Sequence, residues 1–207
     1  MKIAIPKEIM HKETRVSIVP ESVTKLTSQN NEVIVETGAG KQANYSDKSY
    51  EDAGATIVEN FEDLVEQADI VLKVHAPNMD KNLGRIETDS LKDGSYLIGL
   101  LQPLSNLDLI EKLRSKNITS FSLDAIPRIA RAQSMDVLSS MSSLAGYKSA
   151  IIAANTLEKY FPMMMTAAGT YAPAKGLVLG AGVAGLQAIA TSKRLGAVMQ
   201  AFDVRPV

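Results

Sequence analysis

Residues 176–207, GLVLGAGVAGLQAIATSKRLGAVMQAFDVRPV, constrain the fold more tightly than any other stretch of the chain. Leu177-Val178-Leu179 is a short apolar run of the kind that forms a buried parallel strand. Gly180, Gly182 and Gly185 follow in G-x-G-x-x-G spacing, helix formers run from Leu186 to Leu195, and Gly196 stops them. Ala197 to Phe202 then reads as a second strand ending in Asp203. Each part has a physical task. Gly180 permits a tight turn, Gly182 lets a pyrophosphate approach the backbone, and Gly185 lets helix and strand pack closely. The free N–H groups at the helix N-terminus hold phosphate charge. Asp203, 23 positions beyond Gly180, is placed to accept hydrogen bonds from the hydroxyls of an adenosine ribose. A Gly-rich turn alone is a weak signal. The strand before it, the helix after it and the acid beyond favour a dinucleotide site over a plain packing turn.

A dinucleotide-binding domain needs several more strands to complete its sheet, and only four residues follow Asp203. The sequence is therefore expected to stop inside its second domain. At 207 residues there is enough chain for a sizeable core. Lys+Arg 22 against Asp+Glu 23 leaves a net charge of −1, which gives no broad attraction to nucleic acid or anionic membrane. With zero cysteines, disulfides and thiol chemistry are excluded. The N-terminus lacks the apolar core of a secretory signal. The one long uncharged run, residues 176–192, contains the glycine turn and reads as a phosphate site rather than a membrane span. The expectation is a soluble cytoplasmic α/β protein.

From the N-terminus, strands are expected at Lys2–Ile5, Glu32–Glu36, Gly54–Val58, Asp69–Val74, Tyr96–Leu101 and Ile118–Leu123. Helices are expected from Pro20, over Phe61–Ala68, and over Asn106–Lys116 with Asn106 as cap. This alternation predicts a parallel sheet with helices on both faces. No repeat or low-complexity segment interrupts it. Val137–Phe161 reads as one long helix stopping before Pro162, small-residue-rich at its start. The expected division is an N-terminal α/β domain over 1–136, a connecting helix over 137–162, and the start of a dinucleotide domain over 163–207. Met163-Met164-Met165 reads as adaptable packing at a domain junction.

Acid–base options are few. His11 and His75 are the only histidines, and for each the plainer reading is a solvated loop residue. No ligand pattern for a metal and no G-x-S-x-G elbow occurs. Arg128, Gln133 and Asp136 lie on a loop entering the long helix. Their guanidinium, amide and carboxylate could together satisfy a nicotinamide carboxamide and ribose. Equally, the loop could be an ordinary helix start capped by Ser134 or Asp136.

Several stretches carry a resemblance: IPKE at 5–8, ETRVSIVPESV at 13–23, ADIVLKVHAP at 68–77, PRIARAQSMDVLSSMSSLAGYKSAI at 127–151, FPMMMTAAGT at 161–170 and the glycine-rich run from Gly180. Together they resemble the alanine dehydrogenase/transhydrogenase family over the whole chain, most specifically the NAD(H)-binding N-terminal region of its proton-translocating NAD(P) transhydrogenases. The resemblance implies two Rossmann-like parallel-sheet domains flanking a cleft, with NAD(H) bound to the second, here stopping after its second strand. It implies direct hydride transfer between NAD(H) and NADP(H) on another subunit, coupled to proton movement across a membrane. Arg128, Gln133 and Asp136, with Ser134 and Met135 between them, resemble the loop that orients the dihydronicotinamide. Gly180, Gly182, Val183 and Gly185 match the pyrophosphate turn, and Asp203, Val204 and Arg205 the adenosine-ribose contact. The implied partners are a second copy of the same subunit and an NADP(H)-binding subunit with its membrane domain. The chain would then be cytoplasmic and peripheral to the inner membrane, with no membrane span of its own. The family's mobile loop, remaining strands and membrane helices have no counterpart in these 207 residues.

Two alternatives stand beside this. One is an alanine dehydrogenase-like amino-acid oxidoreductase, whose substrate carboxylate would suit Arg15 and Lys73. That chemistry also needs a group that titrates near neutral pH, typically histidine. In the resemblance that histidine belongs in the segment 96–106, here YLIGLLQPLSN, which has none. The other alternative is a truncated, inactive fragment that needs a partner chain.

Overall fold

The computed structural model describes residues 1–80 and 85–205, which form two compact units, Met1–Met135 and Asp136–Val207. The first is built on six parallel strands. In chain order its elements are β1 (Lys2–Ile5), α1 (Pro20–Thr27), β2 (Glu32–Glu36), α2 (Asp47–Asp52), β3 (Thr56–Val58), α3 (Phe61–Gln67) and β4 (Ile70–His75). A two-stranded antiparallel pair follows, β5 (Met79–Asp80) with β6 (Arg85–Ile86), then α4 (Glu87–Ser90), β7 (Tyr96–Leu100), α5 (Leu107–Ser115) and β8 (Thr119–Ser122). The six-stranded sheet runs β3-β2-β1-β4-β7-β8, all parallel. This is the doubly wound order, and it reverses between β1 and β4.

Strand alternation feeds two cores, because successive side chains point to opposite faces. Ile3, Ile5, Val33 and Val35 pack on one face with Val23 of α1 and Tyr50 of α2. Ala4, Ile34, Val71 and Leu97 pack on the other with Phe61, Leu64 and Val65 of α3 and Leu109 and Leu113 of α5. A sheet covered on both faces needs near-continuous apolar strands, and EVIVE and DIVLKV supply them. The helix α2 has no counterpart among the sequence expectations. Its six residues offer one inward side chain, Tyr50, and its start is set by Ser46, whose hydroxyl accepts from the Ser49 N–H at 3.2 Å. Asn106 stands at the head of α5 as expected, but its side chain makes no capping bond, because its backbone (φ −129°, ψ 53°) departs from the extended cap geometry.

The second unit contains α6 (Val137–Thr156), a hairpin of β9 (Met164–Thr166) and β10 (Gly169–Tyr171), and a βαβ unit of β11 (Lys175–Leu179), α7 (Val183–Arg194) and β12 (Val198–Phe202). β11 and β12 pair in parallel, from Lys175 opposite Val198 to Leu179 opposite Phe202. The helix expected to reach Phe161 ends at Thr156, with Leu157 already extended. Asn155 and Thr156 are weak helix formers at the point where the last carbonyls lose their partners. α6 and α7 cross closely at Gly146, where an added Cβ would collide with the Ala184 carbonyl. Met163, Met164 and Met165 are 60%, 38% and 77% exposed. Within this unit both strands of their hairpin lie open on the surface.

Candidate functional site

The glycine turn closes the gap between β11 and α7. Gly180 has φ +98°, a conformation that side chains rarely adopt, and its N–H is bonded to the Phe202 carbonyl at 2.7 Å. Gly185 lies where a Cβ would collide with the Gly180 carbonyl and meet Val178 at 3.2 Å. Gly182 differs: a Cβ there would meet only the Arg205 guanidinium, at 3.8 Å, so the space over the turn is open. Gly182 also heads α7 without a side-chain cap, and Val183 is the first helical residue. The first N–H groups of α7 therefore point outward unsatisfied by any cap, the arrangement that holds phosphate charge.

Asp203 sits beside this turn. Its Oδ2 accepts from the Ala181 N–H at 2.7 Å, and its Oδ1 accepts from the Arg205 N–H at 2.9 Å. The Arg205 guanidinium closes a two-point pair, Nε to Oδ1 at 3.1 Å and Nη2 to Oδ2 at 3.2 Å. Arg205, through its guanidinium and then its backbone N–H, holds the Asp203 carboxyl well below the usual carboxylate range, and Ala181 adds to this. Val204 between them is almost wholly exposed.

In the first unit, the loop after β8 enters a 3-10 turn at Ala130–Met135 in which Ala132 alone is buried. Arg128, Gln133, Ser134 and Met135 are all exposed. Among the described residues neither the Arg128 guanidinium nor the Gln133 amide has a hydrogen-bond partner. Asp136 begins the second unit and caps α6: Oδ1 accepts from the Ser139 N–H at 2.9 Å and Oδ2 from the Ser139 hydroxyl at 2.6 Å. Of the two capping candidates in the sequence, Asp136 has the role and Ser134 does not.

The crevice where the strand order reverses lies beyond the C-terminal ends of β1 and β4. A charged cluster fills it. Pairing of β4 with β7 slips by one residue between Leu72 and His75, and Gly99 accepts the bulge by letting the Lys73 carbonyl approach its Cα. Lys73 is thereby turned inward. Its ammonium lies 2.8 Å from Glu87 and 3.7 Å from Glu8, with all three side chains at least 97% buried. Glu8 also accepts the Val74 N–H at 2.6 Å, and Glu87 the Asn78 N–H at 2.8 Å. Nearby, Glu13 bonds the Arg15 guanidinium and the His75 ring nitrogen, the latter at 2.5 Å, and Arg15 stands 3.2 Å from that same nitrogen. The Arg15 hydrogen bonds, against the opposing effect of burial, hold the Glu13 carboxyl at about 2. His75 is therefore no free loop residue. Sequence spacing had no way to find Glu87, which the β5–β6 pair returns to Lys73. Glu8 lies three residues past the end of β1, and that place beside the central strand is the signal that could have found it.

Residues 4–145 match the family described as "Alanine dehydrogenase/PNT, N-terminal domain", and residues 149–207 match "Alanine dehydrogenase/PNT, C-terminal domain". The chain belongs to the alanine dehydrogenase/PNT family. Within that family it is 52% identical to an NAD(P) transhydrogenase alpha-subunit polypeptide of Rhodospirillum rubrum, over 99% of this chain and 53% of the relative. It is 30% identical to the alanine dehydrogenase of Mycolicibacterium smegmatis, over 99% of this chain and 54% of that one. The crystal structure of transhydrogenase from Sinorhizobium meliloti superposes with a TM-score of 0.92 at 45% identity, covering all of this chain and 57% of that one. The chain thus spans about half the length of these curated relatives. Among the described residues no helix is long and apolar enough to cross a membrane, and no group of side chains could hold a metal ion.

Proposed function

We propose that the chain supplies NAD(H)-binding elements of a proton-translocating NAD(P) transhydrogenase, in which hydride passes directly between NAD(H) and NADP(H). The observation that carries this reading is the turn at Gly180–Gly185. It is strained where only glycine serves, open over Gly182 where a pyrophosphate would lie, and flanked by Asp203 at the end of the next strand. Asp203 then favours a ribose with free hydroxyls, because a 2′-phosphate would bring like charges together. Arg128 and Gln133, exposed and without partners among the described residues, are suited to orienting a nicotinamide ring, with Asp136 fixing the end of their loop as a helix cap. The partners in this reading are a second copy of the subunit and an NADP(H)-binding subunit with its membrane domain.

An amino-acid oxidoreductase would need a proton donor and acceptor near neutral pH. β7 and the loop after it, residues 96–106, offer Tyr96 as their one ionisable side chain. Hydride transfer between two nicotinamides moves no proton at the reacting carbons, so it makes no such demand. The relatives' names supply both activities, and this segment favours the transhydrogenase.

The reading is tested in two steps. NADH should bind more tightly than NADPH in a calorimetric titration, and equal or tighter NADPH binding would defeat the cofactor assignment. In a subunit completed and combined with its NADP(H)-binding partner, Gln133→Asn should slow single-turnover hydride transfer by at least about 10²-fold, the penalty expected of a roughly 1 Å misplacement. NADH affinity should change far less. Near-normal transfer with badly weakened NADH binding would show that the loop grips cofactor without positioning it.

A further inference from the structure

Asp203 is fully engaged before any nucleotide arrives. An ionised carboxylate offers about four lone-pair sites, and four N–H donors occupy them here, at 2.7, 2.9, 3.1 and 3.2 Å. Two of these donors are backbone groups, the Ala181 N–H inside the turn and the Arg205 N–H two residues past Asp203, and neither can swing away as a side chain does. The other two belong to the Arg205 guanidinium, whose side chain is 69% exposed against 14% for Asp203. A ribose hydroxyl that bonds Asp203 must therefore displace the guanidinium. That guanidinium also reaches the phosphate turn, 3.8 Å from where a Cβ at Gly182 would stand.

A fork of N–H donors between the ribose-binding acid and the phosphate turn matches a phosphate monoester in shape and charge. What prevents it from acting so is Asp203, which neutralises it through both of its oxygens. We propose that Arg205 is a latent receptor for a ribose 2′-phosphate, masked by Asp203, so that the pair rather than the acid alone sets cofactor choice at this turn. The proposal rests on the reading of the turn as a dinucleotide site. It adds that rejection of 2′-phosphorylated nucleotides has two components. One is repulsion by Asp203, and the other is the occupation of the adjacent cation that could compensate it. Removing the carboxylate charge should then do more than relieve repulsion: it should release an attractive group already in place.

The test uses 5′-AMP and adenosine 2′,5′-bisphosphate, which differ only in the 2′-phosphate, titrated into the 207-residue chain and followed by NMR. The wild type should prefer AMP. Asp203→Asn keeps an oxygen to accept the Ala181 N–H while removing the charge, and amide spectra check its fold. In that variant the preference should invert, with bisphosphate affinity rising at least about tenfold, one decade in the equilibrium constant. Asp203→Asn/Arg205→Gln should lose this gain. If the single and double variants bind the bisphosphate equally, relief of repulsion accounts for everything and Arg205 is no receptor. If AMP binds the wild type and Asp203→Asn gains nothing, the proposal falls while the nucleotide site stands. If neither probe binds any of the proteins, the nucleotide reading falls and takes the proposal with it.

Discussion

Lys73–Glu87 in the first unit and Arg205–Asp203 in the second are both ion pairs at the C-terminal end of parallel strands, and they have opposite consequences. The first is walled in on every side, its ammonium and carboxylate at most 1% exposed, with Glu8 completing the cluster. The second lies at the surface, its guanidinium mostly in water. A buried pair is held because breaking it strands a charge in a poor solvent. An exposed pair exchanges its partners at little cost. The same chemistry therefore fixes the fold in one place and leaves a replaceable contact in the other. The sheet crevice usually reserved for ligands is filled with internal charge in the first unit, whereas the turn in the second keeps an open approach over Gly182.

The comparison breaks most readily at Lys73. Lys73→Met should lower stability by roughly 3–5 kcal/mol, read as a fall in the urea midpoint, because Glu87 and Glu8 would keep their charge without a partner. Lys73→Met/Glu87→Met should recover a large part of that loss. A single variant with near-native stability would show that the cluster does not hold the crevice together.

Next in size is a contrast within the glycine turn. Gly185→Ala forces a methyl against the Gly180 carbonyl and should destabilise by about 1–3 kcal/mol. Gly182→Ala enters open space from an ordinary φ of −73° and should cost under about 1 kcal/mol. Its effect should fall on NADH affinity instead, since the methyl would stand in the approach to the turn. Thermal unfolding and calorimetric titration of the two variants separate these effects. Equal losses of stability would remove the distinction between a packing glycine and a binding one.

A smaller effect comes from Glu13, whose carboxyl is lowered from 4.5 to about 2 by Arg15, with help from His75. A depressed acid contributes stability that is present above its unfolded value and is lost as pH falls through its folded one. Wild type should therefore exceed Glu13→Gln by up to about 2 kcal/mol above pH ~5, allowing for the partly exposed Arg15. The difference should shrink toward zero by pH ~2. Denaturant midpoints across that range would reveal it, and a constant offset would assign the loss to packing. Least of all, Arg205→Gln should leave the denaturant midpoint where it is, since an exposed pair contributes little.

Much of the first unit was legible because its signals are local. β-branched runs mark strands that alternate into two cores, as Val33, Ile34 and Val35 do. The glycine spacing likewise carried the turn, down to the separate duties of Gly180 and Gly185. Other features depend on contacts that spacing cannot display. The inward turn of Lys73 comes from a bulge against Gly99, and its partner Glu87 arrives through the β5–β6 pair. The short hairpin that carries Met164 and Met165 was not legible at all, since its strands lie open and bury no alternating face. Asp203 was legible as an acid closing the second strand, but not as one whose lone pairs are already taken.

At the bulge in β4 the Val74 N–H leaves the ladder and bonds Glu8 instead, at 2.6 Å. A side chain 66 residues away in sequence thus serves as the neighbouring strand for one amide. Amide hydrogen exchange follows the opening of whatever covers the N–H. The Val74 amide should therefore exchange slowly, like its strand neighbours, while its protection depends on the Glu8 rotamer and not on strand separation. It is a natural reporter, at single-residue level, of whether the crevice cluster is closed.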